Sequence, residues 1–220
     1  MSAIRFQEVS KRYGDRTVVS HLSFTIETGE RLTIHGPSGC GKTTVLRLLA
    51  GFLAPDAGTI HIGDQEVASQ GHIYIGPESR RLGMVFQDLA LWPHLTVYQN
   101  LEFALKAQGL AVDVRKQRIG EALTRVRLEQ FSGSYPARLS GGQQQRVAIA
   151  RALVAEPLAL LMDEPLSNLD DDLKDELCGH LLDLHSQLGF TLVYVTHNKE
   201  EMRRIGTRTI LLRGGEEVSA

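Results

Sequence analysis

The chain has 220 residues, of which 42% are hydrophobic and 23% are charged, and its formal net charge is −2. These values are ordinary for a globular protein with a sizeable core, and the charge balance argues against a strongly basic nucleic-acid binder. Cys40 and Cys178 lie far apart and lack metal-binding spacing. We therefore expect no disulfide framework and a reducing cytoplasm.

The sequence shows no signal for secretion or for membrane insertion. The N-terminus lacks the apolar core of a secretory signal. No run approaches the ~20 apolar residues that are needed to cross a bilayer. We expect a chain that does not cross a membrane by itself.

The hydrophobic patterns predict two kinds of strand and one helical region. Short alternating strands are predicted at Ile4–Val9, His21–Ile26 and Thr59–Ile62. Near-continuous apolar runs, typical of a parallel sheet covered on both faces, occur at Arg31–His35, Arg81–Phe86, Leu158–Met162 and Thr191–Thr196. Helical periodicity is clearest at Lys42–Ala50, Val97–Ala107, Gly141–Ala155 and Leu169–Leu188, the last ended by Gly189. Little strand signal lies between Gln87 and Pro157, which predicts an inserted helical lobe.

A glycine-rich segment follows the first apolar strand and opens the first helix. It has the GxxxxGK[ST] pattern in a strand–loop–helix setting, and its candidate nucleotide-binding residues are Gly36, Pro37, Ser38, Gly39, Cys40, Gly41, Lys42, Thr43 and Thr44. Glycines let the backbone curl so that successive N–H groups and the helix N-terminus face an anion. Lys42 is expected to reach the β- and γ-phosphates, and the Thr43 hydroxyl to ligate Mg²⁺. The plainer alternative is a glycine-rich turn with a surface lysine.

Two acidic residues end the third apolar run. Asp163 and Glu164 follow Leu158–Met162, and ligand sites lie at the carboxyl ends of parallel strands. Asp163 is expected to hold Mg²⁺, directly or through water, and Glu164 to orient or deprotonate the attacking water. Alternatively, the pair only ends the strand and caps the next segment of the chain.

A second candidate anion-binding segment occurs about a hundred residues after the glycine-rich loop. In the segment Leu139-Ser-Gly-Gly-Gln143, Ser140 can cap the following helix, while Gly141 and Gly142 leave its first N–H groups bare. A capped helix with a flexible entry would explain this segment if it stood alone. Together with the phosphate loop and Asp163-Glu164, the LSGGQ segment makes the sequence resemble the ABC ATPase family over essentially the whole chain.

The resemblance implies roles for further residues. Tyr13 matches the aromatic residue that stacks on adenine, although it could also be an ordinary core or surface tyrosine. Gln87 matches the glutamine that contacts Mg²⁺ and water and senses the membrane partner, although it could be just a polar residue leaving a strand. His197 matches the histidine that contacts the γ-phosphate. Ser167 and Asp170 match the loop that crosses to a partner subunit, in which the family more often has alanine at the position of Asn168.

The resemblance also implies the arrangement of the site. Lys42, Gln87, Glu164 and His197 would be catalytic, and Thr43, Gln87 and Asp163 would hold the metal. Ser140, Gly141, Gly142 and Gln143 would contact the nucleotide bound to a second copy. Asp171 and Asp172 are expected only to favour the start of the helix.

The implied fold class is α/β: a P-loop NTPase core with a mostly parallel sheet, an N-terminal antiparallel β subdomain and an inserted α-helical subdomain. One ABC ATPase domain would span residues 1–220, with residues 1–86 and 158–220 forming the core and about 88–157 the helical subdomain. The implied cofactors are ATP and Mg²⁺. The implied partners are a second ABC ATPase in a homodimer or heterodimer, integral membrane permease subunits and, for an importer, a substrate-binding protein. The implied location is the cytoplasmic face of the inner membrane, with no nucleic acid bound.

Several classes of ABC protein remain open. The stretch Leu91-Trp-Pro-His-Leu-Thr-Val97 resembles importers of metal ions, inorganic anions, polyamines and sugars. Many of these carry a C-terminal regulatory domain, which we do not expect here because the chain ends soon after Ile210–Arg213. Some exporters and lipoprotein-release systems also use separate ATPase chains. A soluble ATPase of DNA repair or of ribosomes is less favoured, since the helical lobe lacks sustained heptads and there is one cassette. A non-hydrolysing sensor is not favoured, because the full set of catalytic residues is present.

Overall fold

A computed structural model describes residues 2–167 and 169–218, so Asn168 lies outside the described residues. The strands are β1 Ser2–Tyr13, β2 Arg16–Glu27, β3 Arg31–His35, β4 Ala57–Ile62, β5 Gln65–Ser69, β6 His72–Ile73, β7 Leu82–Val85, β8 Ala159–Asp163, β9 Thr191–Thr196, β10 Arg208–Arg213 and β11 Glu216–Val218. The helices are α1 Lys42–Ala50, α2 Val97–Ala107, α3 Val112–Arg125, α4 Gly141–Leu153, α5 Asp171–Leu188 and α6 Lys199–Ile205. Short 3-10 turns occur at Pro77–Ser79, Glu129–Phe131 and Pro136–Arg138.

The described strands form two sheets. The first is antiparallel, with the order β2-β1-β4-β5-β6, and lies in the N-terminal part of the chain. The second has the order β11-β10-β3-β9-β8-β7 and is parallel except at its β11 edge. Because β3, β8 and β9 are parallel neighbours, their carboxyl ends lie at one edge of the sheet, where ligand sites of α/β folds form.

The central strands of the parallel sheet are buried on both faces. Leu160 and Met162 of β8 pack in a cluster with the side chains of α2 to α5. Leu161 of the same strand packs in a second cluster, with α1 and the antiparallel sheet. Alternate residues of a strand point to opposite faces, so a run without polar residues fits a strand that is covered twice. The core therefore has helices on one side of the parallel sheet and α1 with the antiparallel sheet on the other.

This architecture confirms the predicted fold class. The predicted strands at Arg31–His35 and Thr191–Thr196 and the predicted helices at Lys42–Ala50 and Val97–Ala107 have the same bounds in the structure. The described residues from 87 to 157 contain helices and turns without a strand, as the weak strand signal predicted.

Other predicted bounds differ from those observed. The predicted strand ending at Val9 continues to Tyr13, since it pairs in a long hairpin with β2. The predicted helix starting at Leu169 begins at Asp171, because the side chain of Asp170 caps it by accepting a hydrogen bond from the Leu173 N–H. Strand β7 ends at Val85 rather than Phe86, which leaves Gln87 in the loop beyond it.

Helix α3 was not among the predicted helices, because its apolar stripe is thin: only Ile119, Ala122 and Leu123 are buried along its 14 residues. None of the helices in the described ranges combines the length and the apolar character needed to span a bilayer.

Candidate active site

The phosphate loop connects β3 to α1 and is held in place by close backbone contacts. Gly36 cannot carry a side chain, because a Cβ there would lie 2.3 Å from the Leu212 carbonyl oxygen. Gly41 precedes α1 with a φ of 110°, and a Cβ there would lie 2.5 Å from the Val18 oxygen. The N-cap residue of α1 is Gly41, and no side chain of the described residues caps this helix. The loop therefore leaves a bare helix N-terminus, whose N–H groups and dipole attract an anion.

Lys42 turns back over this loop. Its Nζ donates to the carbonyl oxygens of Gly36 at 2.8 Å and Pro37 at 3.1 Å. It also lies 3.3 Å from Glu164 Oε1, and only 4% of its side chain is exposed. A buried ammonium with three donors is thus fixed at the mouth of the loop, where it can equally bind phosphate oxygens.

Thr43 and Asp163 form a pair beside the lysine. Thr43 Oγ1 donates a hydrogen bond of 3.0 Å to Asp163 Oδ1. Burial raises the pKa of Asp163, the adjacent Glu164 raises it further, and the hydrogen bond from Thr43 opposes both effects. In the described part of the chain no lysine or arginine forms an ion pair with Asp163. A hydroxyl and a buried carboxylate are oxygen ligands of the kind that Mg²⁺ prefers, so these residues fit that ion.

Glu164 contacts two other residues of the site, Lys42 and His197. It has a φ of 44°, unusual for a residue with a side chain, and its N–H donates to Val195 O at 3.0 Å. Its Oε1 faces Lys42, while its Oε2 lies 2.9 Å from Nδ1 of His197. Since a carboxylate accepts, the Nδ1 of His197 carries the proton in this contact. Strained backbone of this kind is concentrated at functional sites.

The residues after β7 and β8 also meet. Gln87 Nε2 lies 3.5 Å from Ser167 Oγ, at the limit for a hydrogen bond. The Gln87 side chain thus reaches the segment after Glu164 from the neighbouring strand end. Asp170, which the resemblance assigns to the crossing loop, caps α5 in the single chain.

Tyr13 lies at the end of the β1–β2 hairpin and is 47% exposed. The same hairpin contacts the phosphate loop, since Arg16 Nη2 donates to Gly39 O at 3.3 Å. The aromatic ring is therefore carried by an element that is tied to the loop. Sequence reasoning missed Arg16, because its partner is a backbone carbonyl that no motif specifies.

The LSGGQ segment forms a capped helix start away from the phosphate loop. Ser140 Oγ accepts from Gln143 N–H at 3.3 Å, and Gln143 Oε1 accepts from Ser140 N–H at 2.9 Å, which completes a capping box. Gly142 is buried, and a Cβ there would lie 2.8 Å from Leu173 Cδ1. Among the described residues no hydrogen bond or ion pair joins residues 139–143 to residues 36–43.

The strand order and the phosphate loop define a protein of the P-loop NTPase class. The family model described as "ABC transporter" matches residues 19–167. The chain belongs to this ABC transporter family, whose members bind ATP.

Curated relatives agree with this assignment. The chain is 43% identical over 213 residues to the Fe(3+) ions import ATP-binding protein FbpC of Fusobacterium nucleatum, covering 97% of the chain and 56% of that protein. It is 47% identical over 212 residues to the spermidine/putrescine import ATP-binding protein PotA of Pseudomonas aeruginosa, covering 96% of the chain and 57% of that protein. The chain thus spans little more than half the length of these relatives.

A solved structure has the same fold. CbiO1 of Clostridium perfringens, described as part of the ABC transporter complex CbiONQ, superposes with a TM-score of 0.89 at 28% identity. The match covers 99% of the present chain and 87% of CbiO1. The predicted family and fold class are therefore confirmed.

Proposed function

We propose that this chain is the ATP-hydrolysing subunit of an ABC transporter and that Glu164 is its general base. The observation that carries the proposal is the convergence of Lys42 and His197 on the two oxygens of one carboxylate, next to the Thr43–Asp163 pair. These groups come from the carboxyl ends of the adjacent parallel strands β8 and β9 and from the first turn of α1.

The chain's residues divide the chemistry among them. Residues 36–44, which include Lys42, bind the phosphates, and His197 holds the γ-phosphate from the other side. Glu164 orients the attacking water and accepts its proton, while the bond between the γ-phosphorus and the β–γ bridging oxygen breaks to give ADP and phosphate. Thr43, Asp163 and Gln87 would hold Mg²⁺, which when bound neutralises phosphate charge. Tyr13 would stack on adenine.

The active form in this proposal is a dimer. In the described part of the chain the N-terminus of α4 has no hydrogen bond or ion pair to the phosphate loop. The triphosphate bound to one copy would therefore contact Ser140, Gly141, Gly142 and Gln143 of the other copy. Ser167 and Asp170 would lie at the same contact. Hydrolysis would remove the shared charge and open the dimer, which is a ligand-driven shift between two states.

The names of the relatives support import rather than export. One relative is named for the import of Fe(3+) ions and the other for the import of spermidine and putrescine, and their identities to this chain are similar, so we assign no cargo. The partners proposed are integral membrane permeases and a substrate-binding protein, and the proposed location of this chain is the cytoplasmic face of the membrane. Identification of the membrane protein that co-purifies with this chain tests this part, and recovery with an exporter permease or with nucleic acid would contradict it.

Replacement Glu164→Gln tests the catalytic role. It should leave ATP binding intact, lower hydrolysis by about 10²–10⁴-fold because the base is lost, and accumulate an ATP-bound dimer. Phosphate release and light scattering after size exclusion measure the two effects. The matched control is Glu200→Gln, at an exposed glutamate in the first turn of α6, which should behave like the wild type. Normal turnover in Glu164→Gln would remove Glu164 from this role.

A further inference from the structure

The side chain of His197 is weakly anchored by its own contacts. Its side chain is 52% exposed, and the hydrogen bond that the described structure gives its ring is the one to Glu164. A side chain with this exposure would sample other rotamers if its backbone could move. The accuracy with which the ring meets Glu164 therefore depends on the residues that fix the backbone before and after it.

The residue before it, Thr196, has its side chain bonded on both sides. Thr196 Oγ1 donates to Glu201 Oε2 at 2.8 Å and accepts from the Asn198 N–H at 3.0 Å. Glu201 is 6% exposed, and its Oε2 also accepts from Tyr194 Oη at 2.9 Å. One carboxylate oxygen thus joins the first turn of α6 to two residues on the same face of β9.

The carbonyl of Thr196 is bonded from another strand. His35 ends β3 and is the register partner of Thr196, and its Nδ1 lies 3.2 Å from Thr196 O. Because a carbonyl only accepts, His35 Nδ1 is the donor. Burial lowers the pKa of His35, with Lys42, Lys199 and His197 acting in the same direction, while the bond to Thr196 opposes them. The neutral ring protonated at Nδ1 still makes this bond.

We propose that His35 is a positioning residue for ATP hydrolysis: together with Glu201 it fixes the peptide before His197 and so holds that ring against Glu164. This inference rests on the proposed function, since it acts through His197 and Glu164. Small displacements of a reacting group can cost about 100-fold in rate, so a bond to the neighbouring peptide is sufficient to matter.

A hydrogen bond that only holds two strands together should affect stability and leave the rate of hydrolysis unchanged. Thr33 provides the comparison: it lies on β3 two residues before His35, and its buried hydroxyl is 2.7 Å from Thr209 Oγ1 on β10. Thr33→Val removes an inter-strand hydrogen bond from the same strand, on the side away from Thr196. It should lower the midpoint of thermal unfolding and leave kcat unchanged.

The decisive variants are His35→Leu, which removes the donor, and His35→Asn, whose amide nitrogen takes the place of Nδ1. We expect His35→Leu to lower kcat about tenfold with KM for ATP changed less than about twofold, and His35→Asn to recover most of the rate. In a His197→Ala background, His35→Leu should have almost no further effect on residual phosphate release, because groups that act through one another are not additive. An equal loss in both backgrounds would overturn the proposal.

A second measurement does not need activity. Amide hydrogen exchange of residues 196–202 in the nucleotide-free protein should be faster in His35→Leu and unchanged in His35→Asn and Thr33→Val. If the wild type releases no phosphate, the proposed function fails. The amide hydrogen exchange of residues 196–202 still shows whether His35 fixes the backbone before His197. Unchanged exchange in His35→Leu would refute the inference even in a chain that hydrolyses ATP normally.

Discussion

At the scale of single residues, Arg80 is a buried arginine outside the active site that bonds several backbone carbonyls. The residue is 2% exposed, and its guanidinium donates to Leu48 O, Leu49 O, Ile75 O and Val67 O at 2.6–3.3 Å. It thereby satisfies carbonyls at the end of α1 and ties that helix to β5 and the segment beyond it. Burial lowers the pKa of Arg80 to about 10, so it is charged at neutral pH.

Replacement Arg80→Met should therefore be strongly destabilising. Methionine fills much of the space but removes the donor to Leu49 O and Ile75 O, whereas Leu48 O and Val67 O still accept from backbone N–H groups. We expect a loss of about 3 kcal/mol in the free energy of unfolding. Urea unfolding followed by circular dichroism measures it. Arg81→Met is the matched control, since Arg81 is exposed and should change stability by less than about 0.5 kcal/mol. Equal effects of the two variants would contradict the role given to Arg80.

Comparing the motif residues with Arg80 shows which important side chains can be identified from sequence alone. Lys42, Thr43 and Glu164 could be named in advance because their chemistry needs particular side chains at a particular spacing. Arg80, Arg16 and His35 could not, because their partners are backbone carbonyls that any residue supplies. Only the folded chain brings those carbonyls within reach.

At the scale of secondary-structure elements, the start of α4 has two roles that can be separated. Ser140 caps the helix in the single chain, and we propose that it also binds the nucleotide of a second copy. Ser140→Ala should cost about 1 kcal/mol in stability through loss of the cap. Ser140→Asp should keep the cap, because aspartate is an equally good capping residue, but place a negative charge opposite the phosphates.

Thermal unfolding and ATP-dependent dimerisation in a Glu164→Gln background distinguish the roles. We expect Ser140→Asp to retain the wild-type unfolding midpoint and to lose the ATP-bound dimer, while Ser140→Ala weakens both. If Ser140→Asp dimerises normally with ATP, Ser140 is a helix cap and nothing more, and the proposed dimer contact is wrong.

The elements themselves were predictable where one face or both faces are strongly apolar. β3 and β9 are buried throughout or nearly so, and α1 has a broad apolar stripe, so their bounds followed from the pattern. Helix α3 contains Gly120 and few buried residues, and its stability depends on packing against α2 and α4. That packing is a tertiary property, which local periodicity does not contain.

At the scale of the whole molecule, the helical lobe and the core share one hydrophobic cluster. Leu101 of α2, Leu123 of α3 and Ile149 of α4 belong to the same contiguous set of buried side chains as Met162 of β8 and Leu192 of β9. We therefore propose that lobe and core are a single domain.

This proposal predicts that both parts unfold together. Trp92 is the only tryptophan of the chain and lies just before α2, so its fluorescence reports on the lobe, whereas far-ultraviolet circular dichroism reports on all helices and strands. The two urea transitions should coincide, as for a two-state protein. Two variants sharpen the measurement: Leu101→Ala in the lobe, and Leu161→Ala in the cluster on the other side of the sheet.

Each variant deletes a fully buried leucine and should cost about 3 kcal/mol. If the cluster couples lobe and core, each must lower the fluorescence midpoint and the circular dichroism midpoint by the same amount, although Leu161 lies far along the chain from Trp92. A fluorescence transition that precedes the other, or that moves alone in Leu101→Ala, would mean that the lobe opens by itself. The lobe and the core would then be separate cooperative units, and α4 could move relative to the phosphate loop without unfolding the protein.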